Sequence, residues 1–281
     1  MTFFKITVIF FMPVASIVMY SCNNVGENNF KSPIGYNLNK PYLVKLPLEL
    51  DEISGISYYE KDSSIFAISD DRGALFKIKP NIKIGKWKFS HGADFEEMTR
   101  IDSTFYILQS NGDIFKTNFE GVKSDVKIFN FPYNKNNEFE TIYYDSTKRK
   151  LVLICKDCES DKKKTLTTYT FNPDSTTFSD SSFSINIKQI AELLDEKSLK
   201  FKPSAAAINP VDNLLYIISS VNKLLVVTDI NGEVKSAFKI NPVTFKQPEG
   251  ITFSPSGDMI ISNEFAETGT AELLIFKRNS K

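Results

Sequence analysis

Ile53-Ser54-Gly55-Ile56 opens a pattern that returns four times, as Phe95-Glu96-Glu97-Met98, Phe139-Glu140-Thr141-Ile142, Pro203-Ser204-Ala205-Ala206 and Pro248-Glu249-Gly250-Ile251. After each opening comes an apolar run with a polar end. These runs are Phe66-Ala67-Ile68-Ser69-Asp70, Tyr106-Ile107-Leu108-Gln109-Ser110, Val152-Leu153-Ile154-Cys155-Lys156, Tyr216-Ile217-Ile218-Ser219-Ser220 and Met259-Ile260-Ile261-Ser262-Asn263. Counted from Ser54, the starts fall 42, 44, 64 and 45 residues apart. A period near 44 with several short strands per unit is the pattern of a β-propeller, whose blades bury their faces only against one another. The expected fold is all-β: five blades of four-stranded antiparallel sheet, or six if the long third unit hides an extra hairpin.

Within the units, turn residues separate the strands. Asp71-Arg72-Gly73, Asn111-Gly112-Asp113, Asp212-Asn213 and Asn231-Gly232 supply residues that tolerate φ > 0 in tight hairpins. The fifth unit runs out of chain one strand short. Tyr42-Leu43-Val44-Lys45-Leu46, which precedes the first unit, matches the outer-strand character of Val234–Phe238 and is expected to complete the last blade. That closure satisfies an edge left open otherwise. Between units three and four, Ile187, Ile190, Ala191 and Leu194 fall at helical spacing, which predicts a short helix over 187–198, either a rim connector or a lid over the central opening.

Ahead of the repeats, Lys5 and the apolar run from Ile6 to Met19 read as a signal peptide, too short for a comfortable membrane span. Ser21-Cys22 at its end resembles a bacterial lipobox, which implies cleavage before Cys22 and acylation there; an ordinary secretory signal is the alternative. The expected layout is a leader over 1–21, a flexible tether over 22–40, and a single propeller domain over 41–281. Lys plus Arg and Asp plus Glu stand at 34 each, so charge gives no case for a nucleic-acid partner.

On this reading the blade openings lie on the innermost strands. Ser54, Glu96, Glu140, Ser204 and Glu249 would then meet near the axis, with Asp70, Ser110, Lys156, Ser220 and Asn263 as a second tier. Oxygen donors at flexible spacing suit Ca²⁺, which takes about 6–8 oxygens. Zinc is disfavoured for want of histidine and thiolate ligands. A hydrated channel, with these carboxylates playing structural parts, is the competing reading. Cys155-Lys156-Asp157-Cys158 lacks a second cysteine pair for a zinc site and reads as two thiols or a modest local staple. The solitary His91 cannot build a nucleophile–base pair by itself and reads as a loop residue. Trp87 should pack between blades, and Lys162-Lys163-Lys164 reads as a solvated hairpin tip.

Glu140-Thr141-Ile142, Gln247-Pro248-Glu249-Gly250-Ile251, Phe201-Lys202-Pro203-Ser204-Ala205 and Ile261-Ser262-Asn263-Glu264 resemble the SdiA-regulated (YjiK/CarP-like) family over roughly residues 42 to 278. The resemblance implies a propeller facing the periplasm, membrane-attached in many members, with calcium binding or calcium-linked regulation in some. Three functions follow as expectations. The first is a lipid-anchored binding or sensory module of the cell envelope, at the outer membrane and facing the periplasm or the cell surface. The second is a calcium-dependent hydrolase of esters, lactones or phosphoesters using the same channel, with Asp70 as base. The third is a scaffold that docks an envelope protein.

Overall fold

A computed structural model of the chain describes residues 29–119, 125–133, 136–161, 164–265 and 270–279. Strand β1 (Tyr42–Lys45) precedes the first full unit: β2 (Ile53–Tyr59), β3 (Ser64–Ser69), β4 (Ala74–Ile78) and β5 (Ile84–Lys88). The second holds β6 (Phe95–Ile101), β7 (Thr104–Gln109), β8 (Ile114–Asn118) and β9 (Lys127–Phe129). The third holds β10 (Asn137–Asp145), β11 (Lys150–Cys158), β12 (Thr165–Asn172) and β13 (Thr177–Asn186), and leads into helix α1 (Ile187–Leu193). The fourth holds β14 (Ala205–Ile208), β15 (Leu215–Ser219), β16 (Leu224–Thr228) and β17 (Val234–Lys239). The chain then finishes with β18 (Pro248–Phe253), β19 (Met259–Asn263) and β20 (Glu272–Phe276).

Five four-stranded antiparallel sheets result, four from consecutive strands and the fifth in the order β1-β20-β19-β18. The protein is therefore a five-bladed propeller. β1 closes the ring by pairing with β20, from Tyr42 opposite Ile275 to Lys45 opposite Glu272. The extra length of the third unit goes into longer strands and α1 rather than a sixth blade.

Alternation explains why the blades stick together. Along β3, Ile65 and Ala67 enter the gap toward blade five, while Phe66 and Ile68 enter the gap toward blade two. β15 repeats this, with Tyr216 and Ile218 facing blade five and Leu215 and Ile217 facing blade three. Strands covered on both faces read as continuous apolar runs, as these do. Each of the five gaps holds its own apolar cluster. In the gap between blades one and two, Phe66 and Phe105 meet edge to face at 4.7 Å, with Trp87 against Phe66 and Phe119. Burying each such aromatic contributes on the order of 2–3 kcal/mol.

Two expected elements end differently from their sequence reading. The helix stops at Leu193 instead of reaching 198, because Asp195 adopts φ of 56° just beyond the cap. Asn186 caps its start by accepting from Lys188 N. Ile187, Ile190 and Ala191 are buried between blades three and four, so α1 is a rim connector and not a lid. The expected tether is also shorter at its inner end. Tyr36 and Leu38 are buried between blades four and five, and Tyr36 Oη donates to Gly257 O at 2.5 Å. Cys22, the leader segment, Lys162 and Lys163 lie outside the described residues.

Candidate functional site

At the start of the inner strands the ladder skips a residue. Phe95 faces Gln109 and Glu97 faces Leu108, leaving Glu96 without a partner. Phe139 faces Cys155 and Thr141 faces Ile154, which frees Glu140; Pro248 faces Asn263 and Gly250 faces Ser262, which frees Glu249. In blade one the irregularity lies between Ile53 and Ile56, at Ser54-Gly55. Bulges of this kind re-aim a side chain out of the regular alternation. Here they turn three glutamates away from the blade gaps.

Those glutamates feel one another's charge. Burial raises the Glu96 carboxyl to about 9, helped by the charges of Glu140, Asp94 and Glu249. Burial raises Glu249 to about 7, helped by Glu140 and opposed by a hydrogen bond from Ser220. Blade five does not adjoin blade two or three, so these charges act on one another across the axis. Glu140 is likewise raised by burial, although Lys156 opposes the shift. Lys156 Nζ pairs with both Glu140 and Glu138, the latter at 2.6 Å. The serines of the same tier behave differently. Ser204 is buried, with its hydroxyl donating to Pro248 O at 2.8 Å, so it joins blade four to blade five instead of facing the axis as a free donor. Ser54 is buried too, and its carbonyl accepts from Ser262 Oγ at 2.9 Å.

The second tier needs one correction. Asp70 N donates to Glu52 O, Ser110 N to Asp94 O, and Glu264 N to Gln247 O. The residue of blade five equivalent to Asp70 and Ser110 is therefore Glu264, one position beyond the expected Asn263. Asn263 faces Pro248 and sends Nδ2 to Thr244 O at 2.8 Å, away from the mouth. Glu264 hydrogen-bonds Glu52 and receives Gln247 Nε2 at 2.7 Å; burial and the facing Glu52 carboxyl raise its pKa. Asp70 rises to about 6, from burial first and then the charges of Glu52, Asp71 and Asp94. Glu52, Asp94 and Glu138, two residues before the bulges, thus add a third acidic tier.

Glu97 is the buried acid that the repeat pattern hides. It is 1% exposed, its Oε1 accepts from Met98 N at 2.9 Å, and the Ile56 backbone of blade one also favours its charged form. Its Oε2 is buried without a hydrogen-bond partner among the described residues. Burial raises its pKa well above the ordinary range, and the charges of Glu249 and Glu96 add to that. Gly55 makes the space: a Cβ there would meet the Glu97 carboxyl and lie 2.6 Å from Met98 N. The signal was in the repeat alignment, where Gly55, Glu97, Thr141, Ala205 and Gly250 share one column and a single large acid stands among small residues.

Below this level the channel changes character. A cavity of about 370 Å³ opens among residues of all five inner strands, including Ile56, Met98, Ile142, Ala206 and Ile251, and among the described residues no carboxylate lines it. Cys155 and Cys158, both within β11, form a disulfide with Cα atoms 5.7 Å apart. His91 is exposed in a loop, as expected.

Fold and site together define a five-bladed propeller with an acid-rich mouth at one end of its axis. The model of the SdiA-regulated family matches residues 42–266, and the chain belongs to that family. No curated protein matches it. Among solved structures, glutaminyl cyclase from Myxococcus xanthus is similar at a TM-score of 0.59 and 13% identity, over 85% of this chain and 96% of that one. A gluconolactonase from Xanthomonas campestris gives a TM-score of 0.53 at 11% identity, over 85% of this chain and 80% of that one. Identities this low speak for the fold alone.

Proposed function

We propose that this protein is an extracytoplasmic binding or sensory module, held to the envelope membrane through acylated Cys22, whose channel mouth takes up a cation, with calcium the best fit. One observation carries the reading: Glu96, Glu140 and Glu249 come from three blades, each is released from its ladder by a bulge, and their charges act on one another around the axis. Carboxylates brought together while buried are costly to ionise unless a cation joins them. An all-oxygen donor set without imidazole or free thiolate suits Ca²⁺ better than Zn²⁺. A docked envelope protein, with the outer-membrane location expected above, belongs to the same reading.

A second reading, a calcium-dependent hydrolase, draws on Asp70. Its carboxyl, near 6 at the edge of the mouth, falls where a general base works well. The likeness to a gluconolactonase supplies a scaffold and no residues.

Titration calorimetry of the full chain with CaCl₂, beside Glu96→Ala and Glu249→Ala, tests the first reading. Saturable heat in the wild type that either variant loses supports it. Absence of heat at millimolar Ca²⁺, with no rise in melting temperature, removes it. A panel of lactone, ester and phosphoester substrates, run with and without Ca²⁺, decides on the second.

A further inference from the structure

Lys156 stands out among the charges of the mouth. Around its tier the other four blades carry Asp70, Ser110, Ser220 and Glu264, so blade three alone contributes a cation there. The backbone explains its position. Opposite Lys156 the ladder of β10 and β11 skips: Asp157 faces Glu138 and Cys155 faces Phe139, leaving Lys156 as the extra residue. The disulfide joins the residues that flank this bulge, with Cys155 fully buried and Cys158 nearly so. Three extended steps would separate their Cα atoms by about 10 Å, against 5.7 Å here. While the staple is closed, the strand cannot straighten and draw Lys156 back into the ladder. Lys202 and Lys223 reach Glu140 and Glu249 through charge alone, their ammonium groups being bonded to Asp157 at 3.0 Å and to Lys246 O at 2.5 Å. Lys156 Nζ, by contrast, pairs with Glu140 and with Glu138, the latter at 2.6 Å.

We propose that Lys156 is the specificity-determining residue of the mouth: a tethered internal cation, positioned by its bulge and the Cys155–Cys158 staple, with which any entering cation must compete for Glu140. The inference rests on the cation reading given above. On it, the site favours an ion that binds strongly enough to displace an ammonium from a carboxylate, and it rejects monovalent cations of similar charge density.

The test is calorimetry of the full chain with CaCl₂, with KCl as the monovalent arm, comparing wild type, Lys156→Met and Lys156→Arg. Removing one like charge a few ångströms from the ion should tighten Ca²⁺ binding by about tenfold or more, whereas arginine keeps the charge and stays within about threefold of wild type. Lys156→Met should also gain measurable K⁺ binding. A Cys155→Ala/Cys158→Ala variant, which frees the strand but keeps the lysine, should fall between the two. Should it fail to fold, the methionine and arginine variants decide alone. Equal or weaker Ca²⁺ binding by Lys156→Met, with wild type binding normally, overturns the role of Lys156 and leaves the cation reading standing. If neither wild type nor Lys156→Met takes Ca²⁺, both are overturned.

Discussion

The two ends of the axial channel are made from the same five strands, yet one is rich in carboxyl groups and, among the described residues, none lines the cavity at the other. At the lower end, around the cavity of about 370 Å³, the pairing registers of β2, β6, β10 and β18 with their outward neighbours run without a break. Side chains there alternate into the two flanking gaps, and apolar residues such as Ile56 and Ile142 belong to the gap clusters. At the upper end the same four strands each slip, and Glu96, Glu140 and Glu249 are the residues released. Regular alternation assigns a side chain to a blade gap, and a bulge withdraws one from it. In this propeller the chemistry sits where the pleat is interrupted.

The sharpest way to break that contrast is to fill the space beside the deepest carboxyl. Gly55→Ala would put a methyl group 2.6 Å from Met98 N and 2.7 Å from Glu97 Cα, as well as against the Glu97 carboxyl. Backbone cannot step aside as a side-chain tip can, so a loss on the order of 4 kcal/mol is expected from urea unfolding. Adding Glu97→Ala should recover only part of it, since the backbone clash remains. A Gly55→Ala protein as stable as wild type would mean that blades one and two do not meet as described.

Next in size is a pH dependence confined to the upper end. The folded-state pKa values of Glu249, about 7, and Glu96, about 9, exceed the ordinary 4.5. In the unfolded chain these groups lose their protons earlier, so raising the pH favours unfolding. Their contribution to stability is complete below about pH 4.5 and is lost as the pH climbs through 7 toward 9. Without added metal, stability should fall on the order of 3 kcal/mol between pH 5 and 9. Glu96→Gln/Glu249→Gln should make the fall shallower, leaving the part due to Asp70, Glu97 and Glu264, and Ca²⁺ should restore stability most at the alkaline end. A metal-free curve that rises across this window would separate the carboxylates from each other.

The blade count, the closing strand and the start of each innermost strand could all be read from the chain, because a repeat near 44 residues writes the blade plan several times. What stayed hidden depends on single-residue slips. Asn263 and Glu264 are adjacent and both polar, and only the pairing of Glu264 N with Gln247 O shows which of them shares the tier of Asp70. Likewise Ser204 looks in sequence like a donor equivalent to Glu96, but its shorter side chain is captured by Pro248 O before it reaches the axis. Cys155 and Cys158 read equally as two thiols or a staple; the bulge at Lys156 keeps Cys158 within β11 and within bonding distance of Cys155. Periodicity reports the average blade, whereas these details are departures from it.

The mildest of the stability changes probes whether the two ends are energetically separate. Ile142 is 1% exposed, lies two residues beyond the Glu140 bulge on the cavity side of β10, and packs in the gap between blades two and three. Ile142→Ala deletes buried methyl and methylene groups next to an existing cavity, which limits the new void and places the cost near the lower end of the usual range, about 2 kcal/mol. Because the residue belongs to the unbroken part of the ladder, its loss should leave the bulge and its glutamate in place. Ca²⁺ affinity should stay within about threefold of wild type, and the slope of stability against pH should not change. A variant that loses Ca²⁺ binding along with its 2 kcal/mol would show that the apolar level holds the mouth in shape, and that the bulges alone do not.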